Sequence, residues 1–303
     1  MAYFLNTLSI TLTPVCITVL AAMAITIIFK TSYTANFAQA VIASFGAYVV
    51  AAGLNKAGLS IWIAMPLGVL AAVALSVFID VVIFRHGRYV NSLGKQIITM
   101  GLTSVIVAAI PLIFGASQEI IPFKKFIDGN LTFEVGGELV SVTKNSLVCV
   151  AITVAVIAAI FILLKYSKWG LSVRATASNE YVAGMMGINT HVVTAVSWGL
   201  AGALSVLAAC MTTSIYPLNA YFMSNYQVNA FLACILGGFA TFHGPVIAAI
   251  IIPVASSLVT YLGNVAGAPE LSGWSMVIVY GLSLLVIFFL PQGIIGGKTV
   301  KKV

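Results

Sequence analysis

Long apolar runs separated by short polar clusters set the pattern of this chain. Each run has the length of a buried or membrane-crossing helix and lacks the strict alternation of a half-buried strand. A helix needs about 20 apolar residues to cross roughly 30 Å of hydrocarbon. Nine runs meet or approach that length: 8–29, 33–53, 61–84, 97–114, 146–164, 191–214, 227–242, 245–262 and 273–290. The second carries Asn36 and Gln39, and the seventh and eighth are short and joined at His243-Gly244-Pro245, so that pair could be re-entrant. The expectation is an all-α polytopic membrane protein with about nine helices, within a range of eight to ten. Spans this closely spaced make one transmembrane domain over residues 1–303.

Two polar interruptions break the pattern, at 115–145 and at 165–190. In the first, Leu131–Val142 alternates apolar and polar residues around Gly136-Gly137, which predicts a β-hairpin with a tight turn. Glu119, Asp128, Glu134 and Glu138 make the segment acidic, fit either for a soluble partner or for a solvated cap over the bundle. The second is a basic island, Lys165–Asn189, that predicts one short helix over 179–186. Ser178 or Asn179 can cap its start, Glu180 suits the positive end of its dipole, and Gly187 can end it. Val182, Met185 and Met186 then form a stripe at i, i+3 and i+4. So short a helix is marginal by itself in water, and methionines make an adaptable contact surface, so it predicts a docking element for a partner protein.

Composition fits a membrane protein. Hydrophobic residues are 61% and charged residues 7% of the chain, and the mean hydropathy is +1.12, outside the range of ordinary soluble domains. Charge then orients the bundle. With nine spans, one side receives Lys30, Arg85, Arg88, Lys95, Lys165, Lys168, Arg174, Lys298, Lys301 and Lys302. The other receives Lys56, Lys124, Lys125 and Lys144. Ten against four predicts the 165–190 island and the C-terminus in the cytoplasm, and the N-terminus and the hairpin outside. The net charge of +7 is thereby a topology signal and not a nucleic-acid footprint. Lys30 follows the first run and no basic region precedes it, which predicts a retained span.

Little here points to catalysis. No span carries two carboxylates or a His/carboxylate pair at helical spacing, and the residues offer no metal-ligand or nucleophile–base pattern. Cys16, Cys149, Cys210 and Cys234 all lie in apolar runs and read as buried small hydrophobes. Asp80 is the single acid in an apolar run, and an ion pair with Arg85 at the membrane surface, or snorkelling to water, is the expected use. Gly296-Gly297-Lys298-Thr299 ends like a phosphate-binding loop, but the pattern requires glycine at 292, which is Gln292. Gly199/Ala203 and Ala201/Ser205/Ala209 repeat small residues every fourth position, predicting close helix packing. Asn36-Phe37-Ala38-Gln39 before Gly46 faintly echoes Asn229-Ala230-Phe231 before Gly237, as repeated transporter halves can. Asn36 and Gln39 are read on one face of the second span, as interhelical glue or as part of a polar path. With Asn229 and Thr241 they are the candidate solute-path residues.

The ordered motifs resemble the permease subunits of branched-chain amino-acid ABC importers. These are Asn36-Phe37-Ala38-Gln39 with Gly46-Ala47-Tyr48, Lys168-Trp169-Gly170-Leu171 with Arg174-Ala175-Thr176-Ala177, Gly187-Ile188-Asn189, Leu236-Gly237-Gly238 with Gly244-Pro245, and Pro291-Gln292-Gly293. Ala40 stands where the family commonly has glycine, and Ala183-Gly184 where it often has charge. The resemblance implies a plasma-membrane permease that itself has no catalytic centre or cofactor. It also implies ATPase subunits, a second permease subunit (a paralogue or an identical chain) and an extracytoplasmic solute-binding protein as partners, in a lipid bilayer. It places ATPase coupling at Arg174, Glu180, Val182, Met185, Met186, Gly187 and Asn189. Alternative cargoes are urea, an amide or a simple sugar, and an alternative class is a secondary transporter.

Overall fold

The computed structural model describes residues 2–87, 90–115, 126–135, 137–213 and 218–295. Arg88, Glu119, Lys124, Lys125, Gly136 and residues 296–302, which entered the expectations above, lie outside them. The order is α1 (Ala2–Ser32), α2 (Gln39–Asn55), α3 (Ile61–Phe78) with a π-helical continuation (Ile79–Phe84), α4 (Ser92–Phe114), β1 (Asn130–Val135), β2 (Glu138–Thr143), α5 (Lys144–Tyr166), α6 (Lys168–Ser178), α7 (Glu180–Met185), α8 (Thr190–Thr212), α9 (Ser224–Gly237), α10 (His243–Val265) and α11 (Leu271–Phe289).

Each of the nine apolar runs carries a helix, but not all are full spans. Seven are long and apolar enough to cross a membrane. The second run is shorter than expected: residues 33–38 are not helical, so α2 has 17 residues. The seventh begins at Ser224 and stops at Gly237, giving a 14-residue α9 that rises only about 21 Å. Gly238, with φ +81°, turns the chain there. The helix count therefore holds, and the short pair flagged by hydropathy resolves into one short helix and one full one.

The bundle is built around α1. Its apolar window is 78% buried, against 61% for α8 and 17% for α4 and for α11, so α1 is the axis, α8 packs beside it, and α4 and α11 lie at the periphery. It packs on α5, α8, α9 and α10, while α2 and α3 join through α8. All four cysteines are buried and free. The small residues of α8 do serve packing, though not only those at the expected spacing. Ala201, Ser205 and Ala209 are buried, but the closest crossing is at Gly202, where a Cβ would lie 2.8 Å from the Ala72 carbonyl oxygen of α3. At the α9–α10 turn, Gly237 and Gly244 touch backbone to backbone, so neither site has room for a methyl group.

The hairpin forms as the alternation predicts, with Val135 opposite Glu138 and Asn130 opposite Thr143. Gly137, at φ +84°, supplies the left-handed backbone that such a tight turn requires. The hairpin sits at the N-terminal end of α1: Asn6 donates to the Leu139 carbonyl (3.2 Å) and accepts from the Ser141 amide (2.8 Å). The 31 residues of α1 span about 46 Å, which puts α6 and α7, near its other end, on the opposite side of the bundle.

Asp80 departs from expectation. It is buried in the π-helical turn and its carboxylate accepts from the Thr194 hydroxyl of α8 at 3.3 Å. It forms no ion pair with Arg85. The wider π turn aims the acid at α8, and the Arg85 charge acts on it only beyond ion-pair distance, while the Arg85 backbone N–H donates to the Asp80 carbonyl at 3.0 Å.

Candidate functional site

The basic island folds as two helices where one was expected. Ser167, extended at φ −87°, ψ 157°, ends α5 and caps α6 by accepting from the Gly170 amide at 3.0 Å. The corner is tight: a Cβ at Gly170 would overlap the Leu163 and Leu164 carbonyls. The Arg174 guanidinium folds back onto the Leu164 carbonyl, one of the orphan acceptors at the end of α5. Arg174 is therefore a brace for the corner.

Helix α7 has caps at both ends. Asn179, not Ser178, is its N-cap and accepts from the Val182 amide at 3.2 Å. Gly187, at φ +85°, closes it: its N–H donates to the Gly184 carbonyl and that of Ile188 to Ala183, both at 3.1 Å. This pair of bonds is a Schellman ending, which needs the left-handed backbone that glycine adopts without strain. Asn189 then caps α8, accepting from the Val192 amide at 3.3 Å. Six residues of helix are thus stabilised by end chemistry, where chain length alone would not suffice.

What α7 buries is small. Ala183 faces inward, whereas Tyr181, Val182, Met185 and Met186 point away from the bundle, with Met185 65% and Met186 79% exposed. Glu180 is exposed as well. A groove of about 640 Å³ runs beside the helix, lined by Tyr33, Lys95, Glu180, Tyr181 and Met185 among others. Tyr33 ties this surface to the bundle. Its hydroxyl donates to the Ala177 carbonyl at the end of α6, and its carbonyl accepts from Ser92 at the start of α4 (2.7 Å). It is the one non-glycine described residue with positive φ (+50°), just where α1 gives way to the non-helical stretch before α2.

That stretch leads to the second candidate region. Asn36 lies ahead of α2, not on a face of it as expected, because its side chain competes for the backbone: Oδ1 accepts from the Ala38 amide at 3.0 Å. Its Nδ2 donates to Gln39 Oε1 at 2.7 Å. Gln39 Nε2 in turn donates to the Ala201 carbonyl (3.0 Å) and the Ser205 hydroxyl of α8. Gln227 of α9 completes the cluster, accepting from the Ala40 amide and donating to the Phe37 carbonyl (2.7 Å). Thr99 and Thr103 of α4 bind the same residue, Thr99 accepting from Phe37 N–H (3.1 Å) and Thr103 donating to its carbonyl (3.3 Å). The peptide groups left free where the helix is broken are thus satisfied by side chains from two other helices, α4 and α9, as a low-dielectric interior requires.

The expected path residues therefore separate. Asn36 and Gln39 meet in this cluster and their amides are engaged. Asn229, two residues after Gln227, lies elsewhere on α9, where its Oδ1 accepts from the Tyr280 hydroxyl at 2.6 Å. Thr241 is not in a span: it sits in the α9–α10 turn and accepts from the Gly244 amide at 3.1 Å. The echoing segments are in contact, with Phe37 and Phe231 rings 4.9 Å apart. Gln227, Thr99 and Tyr33 were not singled out from the sequence, and no local pattern marks them.

Comparison with known proteins places the chain as a whole. The family model described as branched-chain amino acid transport system / permease component matches residues 7–288. The chain is 26% identical over 296 residues to the high-affinity branched-chain amino acid transport system permease protein LivH of Salmonella typhimurium, covering 94% of this chain and 92% of that one. It is 25% identical over 294 residues to the corresponding permease BraD of Pseudomonas aeruginosa, covering 94% and 93%. A probable LivH from Methanocaldococcus jannaschii is 25% identical over 286 residues, 92% of this chain and 88% of that one. Among solved structures, PsaBC from Streptococcus pneumoniae in complex with Fab has a similar fold, with a TM-score of 0.54 at 15% identity over 95% of this chain and 93% of that one.

Proposed function

The chain belongs to the branched-chain amino acid transport permease family, and from that premise we propose that it is the membrane-spanning subunit of an ATP-driven ABC importer for branched-chain or related small amino acids. The observation that carries the reading is α7, a helix fixed at both ends by side-chain and glycine caps that nonetheless leaves its apolar stripe uncovered. A face of that kind outside a lipid-facing span is an interaction surface. The occupant we assign is a soluble ATPase subunit, with Val182, Met185 and Met186 as the contact and Glu180 at its rim. Arg174, Gly187 and Asn189 hold the helix in place without touching the partner. A second permease subunit and an extracytoplasmic solute-binding protein complete the assembly, with the α7 end of the bundle in the cytoplasm and the hairpin outside, as the Lys/Arg bias directs.

Transport in this reading is alternating access. Nucleotide-driven movement of the ATPases displaces α7, α6 moves with it, and the Tyr33–Ala177 contact passes the motion to the break before α2. There the Asn36–Gln39–Gln227 cluster links α2 to α8 and α9, so the three helices move together. The test is uptake of radiolabelled leucine into proteoliposomes that contain this chain, candidate permease, ATPase and binding-protein subunits, and internal ATP. Uptake that needs the ATPase and is lost in the Met185→Glu/Met186→Glu double variant is the expected result. Uptake by the purified chain alone under an ion gradient overturns it in favour of a secondary transporter.

A further inference from the structure

A hollow of about 60 Å³ lies beside the start of α7, where the π turn after α3 meets the first turns of α4, α7 and α8. That is far below the roughly 300 Å³ of a small-molecule site, so it serves as a joint between helices and not as a pocket for a solute. Asp80 of the π turn lines it together with Arg85, Lys95 of α4, Glu180 of α7, and His191 and Thr194 of α8. Lys95 and Glu180 also line the groove beside α7, so these two side chains stand between the docking surface and the buried acid.

Asp80 is loosely held. It is 6% exposed, and among the described residues its carboxylate has one hydrogen bond, from the Thr194 hydroxyl at 3.3 Å, longer than the usual O–H···O range. That hydroxyl has a single proton and lies nearer the His191 carbonyl, at 3.1 Å, so the acid shares its donor. Arg85 and Lys95 act on the carboxylate through their charge, yet neither forms an ion pair with it among the described residues. One turn deeper on each helix, the same crossing leaves two more groups unmatched. Ser76 Oγ of α3 and Trp198 Nε1 of α8 are buried without a hydrogen-bond partner. Buried polar groups are normally matched, and an acid at membrane depth normally has a partner. The α3–α8 crossing is thus incompletely satisfied in this state, the mark of an interface with a second arrangement.

We propose that Asp80 is a positioning residue for coupling, whose carboxylate passes from Thr194 to Lys95 when α7 is displaced. The inference rests on the permease reading and adds the residues at which the motion enters the bundle. Arg85 follows on the same helix as the acid, so a pair with it would join nothing. Lys95 is on α4, and its pair with Asp80 ties α3 to α4 while releasing α8 from the acid. In this state Lys95 shares the hollow with Glu180 as well. Displacement of α7 carries Glu180 away and leaves Asp80 as the anion of the hollow. The exchange replaces a long bond to a neutral hydroxyl with a charge-assisted one, the stronger of the two. The Thr194 hydroxyl is not stranded by it, because the His191 carbonyl keeps its proton.

Disulfide trapping in the assembled complex tests the exchange. Asp80→Cys is combined with Lys95→Cys, and the four native cysteines are buried and free. The new pair is expected to oxidise to a disulfide several-fold faster with a non-hydrolysable ATP analogue bound than without nucleotide. Equal rates overturn the exchange. Thr194→Val, which takes away the donor of the resting state, should raise the rate without nucleotide. Should the cysteine pair misfold, the ratio of ATP hydrolysed to leucine imported carries the test. Asp80→Asn and Lys95→Met are each expected to raise it several-fold, the two together no further than either alone, and Asp80→Glu to keep it near wild type. An acid with a merely structural role lowers stability and leaves that ratio unchanged in the complexes that survive, which overturns the proposal while the permease reading stands. Nucleotide-dependent cross-linking in a complex that imports no leucine supports the joint and counts against the importer reading.

Discussion

The two ends of the proposed coupling route invert the usual placement of polar and apolar groups. At α7, methionine, valine and tyrosine side chains face out of a segment that is otherwise polar and basic. At the start of α2, Asn36 and Gln39 are 0% and 3% exposed inside an apolar bundle. Each inversion has a cost, and each is offset differently. The buried amides are satisfied within the chain, partner by partner, so that region is complete as it stands. The α7 stripe is left uncovered by this chain, and in the proposed assembly another molecule completes it. A satisfied polar interior holds helices in register, whereas an unsatisfied apolar exterior recruits a partner.

The sharpest way to break the contrast is to charge the exterior. Met185→Glu with Met186→Glu should reduce association with the ATPase subunit by roughly 100-fold or more, since burying unpaired carboxylates costs several kcal/mol. Co-purification and thermal stability of the isolated chain check it together, the second staying near wild type because both side chains are exposed. The interior should respond in the opposite way. Gln227→Leu strands the Ala40 amide and one acceptor site on Phe37, and should cost about 1–3 kcal/mol of stability per group left unpaired, read as an earlier midpoint in chemical or thermal denaturation. Gly202→Ala tests packing alone, with an expected loss of about 1–3 kcal/mol from the clash with α3, measured on the same chain. The smallest effect should come from Arg174→Ala, which removes one part-buried hydrogen bond to the end of α5 and should cost about 1 kcal/mol. If that variant instead abolishes ATPase binding while folding normally, Arg174 belongs to the contact and not to its support.

Hydropathy located all nine apolar helices, because a run of that length has few other places to go, and alternation around a glycine pair located the hairpin. The stripe at Val182, Met185 and Met186 was legible for the same reason: it is a local period. Helix α6 was not, since its sequence, KWGLSVRATAS, is neither apolar enough for a span nor strongly periodic, and it forms by cap and corner geometry at Ser167 and Gly170. The polar cluster was half legible. Asn36 and Gln39 stand out as amides in an apolar run, but Gln227 lies 187 residues from the backbone it completes, and no local pattern spans that distance.

By itself, then, the sequence determined that this is a bundle of membrane helices and that one short helix outside the bundle carries an apolar face. Those properties follow from composition and from periods of a few residues, which physics reads locally. The tertiary structure alone decided that α2 begins six residues late, that Asp80 turns to Thr194, and that Asn36 and Gln39 meet in one cluster while Asn229 accepts from Tyr280 elsewhere on α9. Each of these depends on which distant helix supplies a partner. In a medium without water that choice is made by the whole packing, since every buried polar group must find its match somewhere in the fold.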